Sequence, residues 1–230
     1  MENILIIGAS GHAKVIVDII EKQKQYNIYG FLDTFKKKGD KLFEYTILGS
    51  ENDLNEIVEK NNISGCFIAI GDNCTRKIMS RKISTLNPNL KFINAIHPSS
   101  IIGKEVTLGH GIAIMPGVVV NSDSKIGDFC ILNTNSSLGH DGVMNDYSSI
   151  SSGVRTGGNL KLNECSAISI GATIIENIVI GRDTIIGAGS LVTKNIPSEV
   201  VAYGIPAKII KSRRADDKYL FGEKNKTGRS

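Results

Sequence analysis

The chain has 230 residues, 41% of them hydrophobic and only 6% aromatic, with a formal net charge of +4. Much of the excess charge sits in the last twenty residues (Arg213, Arg214, Lys218, Lys224, Lys226, Arg229), so it argues for a solvated tail rather than a nucleic-acid groove. No run of eighteen apolar residues suggests a membrane span, and the start, Ile4-Leu5-Ile6-Ile7, has neither the basic region nor the cleavage site of a secretory leader. Cys66, Cys74, Cys130 and Cys165 lack metal-ligand spacing, which predicts reduced cytoplasmic thiols and no metal.

In chain order, Asn3 to Gly8 is an aliphatic run ending in glycine, the mark of a buried parallel strand. Ala13 to Lys24 carries Val15, Ile16, Ile19 and Ile20 at helical spacing, and Ile28 to Leu32 is a second strand ending at Asp33. A charged loop follows at Lys36 to Lys41. Then come a short helix at Asp53–Glu59, a strand at Cys66–Ile70, a basic helix at Thr75–Leu86 and a last strand at Lys91–Ile96. Alternating strands and helices predict a small parallel sheet of the Rossmann kind.

After His97-Pro98 the pattern changes. From Ile102 to Val192 every sixth residue is aliphatic or Met, with the single exception of Thr156. Neither a helix nor a half-buried strand calls for a period of six; a solenoid of short flat faces does. Glycine often follows the aliphatic residue, and a small residue is frequent four places after it, as at Ser124, Cys130, Ser136 and Ser148. Asn195-Ile196-Pro197 and Gly204-Ile205-Pro206-Ala207 break the phase and read as the closing cap. The repeat resembles the left-handed parallel β-helix of hexapeptide-repeat acyltransferases. The expected division is residues 1–96 as a Rossmann-like nucleotide-sugar-binding domain, 97–211 as the β-helix and 212–230 as a flexible tail.

Two places carry candidate chemistry. Gly8-Ala9-Ser10-Gly11-His12 joins the first strand to the first helix, where glycine allows close backbone approach and helix-start N–H groups favour a diphosphate. Its spacing is GxxG rather than GxGxxG, so a mononucleotide site is favoured over a dinucleotide one, and a plain tight turn is the alternative. Asp33 stands where an acid accepts from a ribose hydroxyl or base N–H, and Asp72 follows the Ile70-Gly71 strand end and is expected to face the same site. In the solenoid, His110 and His140 both occupy the third place of a hexad. Only His140 is mid-solenoid and directly followed by an acid, Asp141, able to stabilise an imidazolium.

A strand ending in Gly-x-Ser-Gly-His, the His97-Pro98-Ser99 junction, His140-Asp141 and the terminal Gly204-x-Pro206-Ala207 loop together resemble the bacterial acetyltransferases that N-acetylate nucleotide-linked 4-amino-4,6-dideoxy sugars. Bacillosamine-pathway enzymes are the nearest type, and sialic acid O-acetyltransferases are similar in architecture. The resemblance spans residues 1 to about 211. It implies acetyl-CoA as cosubstrate, His140 as general base with Asp141 beside it, and a donor side at Ser149, Ile170 and Ala188. It also implies a nucleotide-activated amino sugar held by Gly8, Ser10, Gly11, His12, Asp33 and Asp72, and a homotrimer in which His140 faces the neighbouring subunit. The expected setting is cytoplasmic synthesis of surface glycan, without nucleic acid or membrane insertion. Two other readings are compatible with the motifs: a sugar O-acetyltransferase, and a non-catalytic nucleotide-sugar sensor. The loop at 36–41 matches no motif.

Overall fold

The computed structural model describes residues 1–217 and Leu220. The first ninety-odd residues form a six-stranded sheet of β1 (Glu2–Ile7), β2 (Tyr26–Leu32), β3 (Lys41–Leu42), β4 (Tyr45–Gly49), β5 (Ile63–Ile68) and β6 (Lys91–Phe92), in the order β3-β4-β2-β1-β5-β6. All neighbours run parallel except β3 and β4. The helices are α1 (Gly11–Gln23), α2 (Leu54–Asn61) and α3 (Asn73–Leu86). β1 lies between β2 and β5 with Ile4 to Ile7 fully buried, which is why it reads as an unbroken aliphatic run. The sequence reading did not include Tyr45–Gly49, whose Tyr-Thr-Ile-Leu-Gly is too short to show a period.

The expected last strand, Lys91–Ile96, is two elements. Lys91–Phe92 pairs with β5, whereas Ala95–Ile96 pairs with Ala113–Ile114 and opens the solenoid. From there two-residue strands recur every six residues to Leu191–Val192, each pairing in parallel with the strand eighteen residues away. The result is a three-sided coil, the left-handed β-helix expected from the hexads. The first face begins at Ala95–Ile96, the second at Ile101–Ile102 and the third at Thr107–Leu108. The aliphatic member of each hexad points inward, and most are fully buried. At each turn from Glu105 to Gly189 the third residue after the aliphatic one takes φ between +53° and +70°. Asn and Asp tolerate this left-handed geometry, and they fill several of those places.

The antiparallel pair Val200–Gly204 and Ala207–Ser212 closes the far end against Ile185–Ile186. Ser212 ends a strand, and the buried Arg213 donates to the Asp183 carbonyl (2.6 Å) and to that of Asp217. Most of the remaining expected tail lies outside the described residues.

The sheet docks on the corner between the third and first faces. Arg76 of α3, 1% exposed, donates through Nε to the Phe129 carbonyl (2.8 Å) and through its other nitrogens to the carbonyls of Ile70, Gly71 and Tyr147. Asn73 reaches the carbonyls of Cys165 and Ser166, and Lys77 pairs with Glu164 at 2.6 Å. The Phe129 ring stacks on Tyr147 with centroids 5.1 Å apart. A buried arginine so fully hydrogen-bonded makes this a fixed joint, since removing it would orphan several buried carbonyls.

Candidate active site

His140 and Asp141 lie in the turn between the second and third faces. Asp141 has φ +56°, one of the left-handed positions, and this brings its carboxylate back to the ring beside it: His140 Nδ1 and Asp141 Oδ2 are 2.7 Å apart. A proton on Nδ1 is then held by the carboxylate, leaving Nε2 as the basic nitrogen. Both side chains are exposed, the histidine at 66%. His110 also has an acid near it, Asp128, but on the next turn of the coil and at 3.5 Å, with the ring 78% exposed. The tight pair is the one at 140–141.

The turn below is built around the His140 ring. An added Cβ on Gly158 would press on Nε2 and lie 2.5 Å from Cε1, so the ring covers a position only glycine leaves open. The backbone of the turn is held by Ser124, whose Oγ donates to the Gly139 carbonyl (3.0 Å), and by the Asn159 N–H, which donates to the His140 carbonyl (2.8 Å). The Gly139 N–H donates to Thr156 Oγ1 (3.0 Å). Neither Gly158 nor Thr156 was read as functional from the sequence, although Thr156 is the lone break in the hexad series.

The expected donor-side residues sit elsewhere on the coil. Ile170, 64% exposed, and Ala188 occupy successive turns at the corner between the first and second faces. That corner also holds Gly153, Gly171 and Gly189, whose added Cβ atoms would meet open space. Ser149 lies on the adjoining first face and is only 6% exposed.

In the sheet, the expected residues gather at the carboxyl ends of β1, β2 and β5, the edge where such sheets take ligands. Each also has a part in the local structure of that edge. Asp33 accepts the Ala9 N–H at Oδ2 (2.7 Å) and those of Phe35 (2.7 Å) and Lys36 (3.1 Å) at Oδ1, so it ties the Gly8–Ser10 loop to the loop after β2. Asp72 caps α3, accepting from the Thr75 N–H and hydroxyl at Oδ1, while its Oδ2 is buried without a partner among the described residues. Burial, reinforced by the Arg76 guanidinium, lowers His12 to a pKa of about 4, so its ring is neutral and offers no positive charge to a phosphate. Its Nε2 is likewise buried and unpartnered. Ser10 is the N-cap of α1 and makes no side-chain cap bond, and Gly11 has open space where a Cβ would stand.

Beside this loop is a cavity of about 300 Å³ lined by Ala9, Lys36, Asp40, Lys41, Leu42 and Ile47. The charged loop that matched no motif therefore forms the wall of a pocket next to the glycine turn. A larger groove, about 560 Å³, runs along the docking corner over Asn145, Asp146, Asn163, Glu164, Arg182 and Ser198 and contains none of the expected site residues. Burial pushes the thiols of Cys130 and Cys165 up to about 11, and raises Cys66 too, which makes all three poor nucleophiles.

A Rossmann-like sheet fixed to a left-handed coil with a histidine–carboxylate pair on one corner defines a sugar acyltransferase type of molecule. The model of the PglD N-terminal domain family matches residues 3–83. UDP-N-acetylbacillosamine N-acetyltransferase of Bacillus subtilis (strain 168) is 34% identical over 117 residues, and the match spans 50% of this chain but only 52% of that relative's length. A mutant of perosamine N-acetyltransferase from Caulobacter crescentus, solved with CoA and GDP-perosamine, is 32% identical with a TM-score of 0.87, covering 92% of this chain and 98% of that one. The acetyltransferase domain of PglB from Neisseria gonorrhoeae FA1090, solved with acetyl coenzyme A, is 25% identical with a TM-score of 0.83, covering 91% and 99%. The chain belongs to this family of nucleotide-sugar N-acetyltransferases.

Proposed function

We propose that the protein transfers the acetyl group of acetyl-CoA to the amine of a nucleotide-linked 4-amino-4,6-dideoxy sugar, as a step in building a bacterial surface glycan. The observation that carries this reading is the exposed His140–Asp141 pair on a coil similar throughout to that of an N-acetyltransferase solved with CoA and a GDP-linked amino sugar. His140 Nε2 takes the proton from the sugar nitrogen as that nitrogen bonds to the thioester carbonyl carbon. The C–S bond then breaks, and the imidazolium returns the proton to the departing thiolate, giving an amide and free CoA thiol. Asp141 holds Nδ1–H throughout and compensates the ring's transient charge. The raised thiol pKa values support direct transfer, with no acyl-cysteine intermediate.

The donor lies along the corner strip of Ile170 and Ala188, with Ser149 on the face beside it. The nucleotide lies against Gly8, Ser10, Gly11, His12, Asp33 and Asp72, in a site whose two loops are tied together by Asp33; the lysine-walled cavity supports this placement. His140, the donor strip and the docked sheet stand at three different corners of one coil. That separation supports a homotrimer in which the corner bearing His140 meets a neighbouring subunit, completing each site from two chains. This reading places the reaction in the cytoplasm.

Release of CoA thiol from acetyl-CoA, followed across UDP-, GDP- and dTDP-linked 4-amino sugars, tests the activity. His140→Ala is expected to lower turnover about 10²–10⁴-fold while leaving the oligomer folded. Wild-type-like turnover in that variant, or an acetyl group found on oxygen by mass spectrometry, refutes the reading. Sedimentation at a mass other than three chains refutes the trimer.

A further inference from the structure

Thr156 occupies a place that every other hexad gives to an aliphatic residue or Met. Its neighbours along the second face, Leu138 before it and Ile174 after it, are buried to 1% exposure or less, and nothing about stacking between them calls for a hydroxyl. The polar atom has a specific use. Thr156 Oγ1 accepts the N–H of Gly139 at 3.0 Å, the residue immediately before His140.

This changes the ladder at one rung. Elsewhere on the second face the corresponding N–H donates to the carbonyl seventeen residues on: Asn121 to Leu138 at 3.0 Å, Gly157 to Ile174 at 2.9 Å. Neighbouring coil strands register two residue pairs, but Ser137–Leu138 and Arg155–Thr156 register only one, Ser137 with Arg155. The two turns that follow are pressed close, so that a Cβ on Gly139 would meet the Gly157 backbone and lie 2.6 Å from the Gly158 nitrogen. Above that contact rests the His140 ring.

We infer that Thr156 is a positioning residue for His140: its hydroxyl, by taking Gly139 N–H out of the ladder, sets the height and orientation of the turn that carries the base. The inference rests on His140 being the base. With an aliphatic residue here, Gly139 returns to the regular bond and the turn takes the geometry of the other second-face corners. The interior place is thus given up to function. A valine matches the shape of threonine and lacks the acceptor, so it isolates the hydroxyl; serine keeps the acceptor and loses the methyl.

Thr156→Val and Thr156→Ser in the full-length protein test this, with kcat, KM for both substrates and thermal midpoint measured on each. Thr156→Val is expected to keep or raise the midpoint, leave both KM values near wild type, and lower kcat about tenfold through displacement of the base. Thr156→Ser is expected to recover most of that kcat despite lower stability. The NMR signals of the His140 ring should move in the valine variant and return in the serine one. Equal kcat losses in both variants, or a valine enzyme within twofold of wild type, overturn the positioning role. If His140→Ala itself keeps turnover, the assignment of the base falls first and this inference with it.

Discussion

Replacing Gly158 by alanine places a methyl group beneath the His140 ring, against Nε2, 2.5 Å from Cε1 and 3.0 Å from Cδ2. Ordinary contact begins near 3.4 Å, so the ring has to move by about 1 Å. It can do so cheaply, because it is an exposed side chain free to swing outward. The backbone at Gly158 has no left-handed φ, so alanine also loses less chain entropy on folding and stability should hold or rise by a few tenths of a kcal/mol. Catalysis has no such freedom. A 1 Å error in a reacting group costs on the order of 10²-fold, or about 2.7 kcal/mol of barrier. The expected result is therefore a protein with a thermal midpoint unchanged or slightly raised and kcat reduced about a hundredfold, read from CoA thiol release at saturating substrates. A Gly158→Ala enzyme with kcat within threefold of wild type would refute the argument, because it would show that the ring's resting place on this turn is irrelevant to the reaction.

Asp141→Asn keeps a residue that tolerates the left-handed φ of +56° but removes the charge from the 2.7 Å contact; kcat should fall about tenfold with KM unchanged, and an unaltered rate would reduce Asp141 to a solvated corner. Gly11→Val adds a side chain where the protein itself leaves open space, so calorimetry should show lost nucleotide binding in a folded protein; retained affinity would remove the loop from the site. The pH dependence of stability should carry the signature of His12, whose folded pKa of about 4 lies below the unfolded value of 6.5. Under that shift the unfolded chain binds a proton the folded one refuses, so stability present above pH 6.5 is lost as the pH falls from 6.5 towards 4. Urea unfolding should show a smaller acid loss in His12→Leu, and equal losses in both proteins would rule this out.

The coil was legible because its constraint is periodic: one inward residue per hexad repeats often enough to stand out of a single sequence. The sheet was legible where strands are long and buried, as at Ile4–Ile7, and illegible at Tyr45–Gly49. Of the site, the His140–Asp141 contact could be anticipated because the partners are adjacent. The work of Asp33 and Asp72 could not. An acid at a strand end looks the same whether it meets a ligand or ties down three backbone N–H groups, and only the fold brings Ala9 to Asp33. Arg76 looked like one more charge on a basic helix until Phe129 and Tyr147 arrived from fifty and seventy residues away. Gly158 was invisible for the same reason, since its importance is the ring lying eighteen positions back along the coil.

Pairing every strand with the one eighteen residues away also limits how such a molecule can change in length. An added hexad would turn all later residues by a third of a revolution, carrying Ile170 and Ala188 off their corner and moving Asn163–Ser166 out from under α3. Only a whole turn of eighteen can be gained or lost with the corners kept in line. Between Phe129 and Ser166 even that is barred, because Arg76 and Asn73 of one short helix clasp successive turns at fixed height. Insertion of any other length is thus confined to the far end of the coil, beyond Val192, where the hexad phase already breaks and a different cap could be fitted without touching His140.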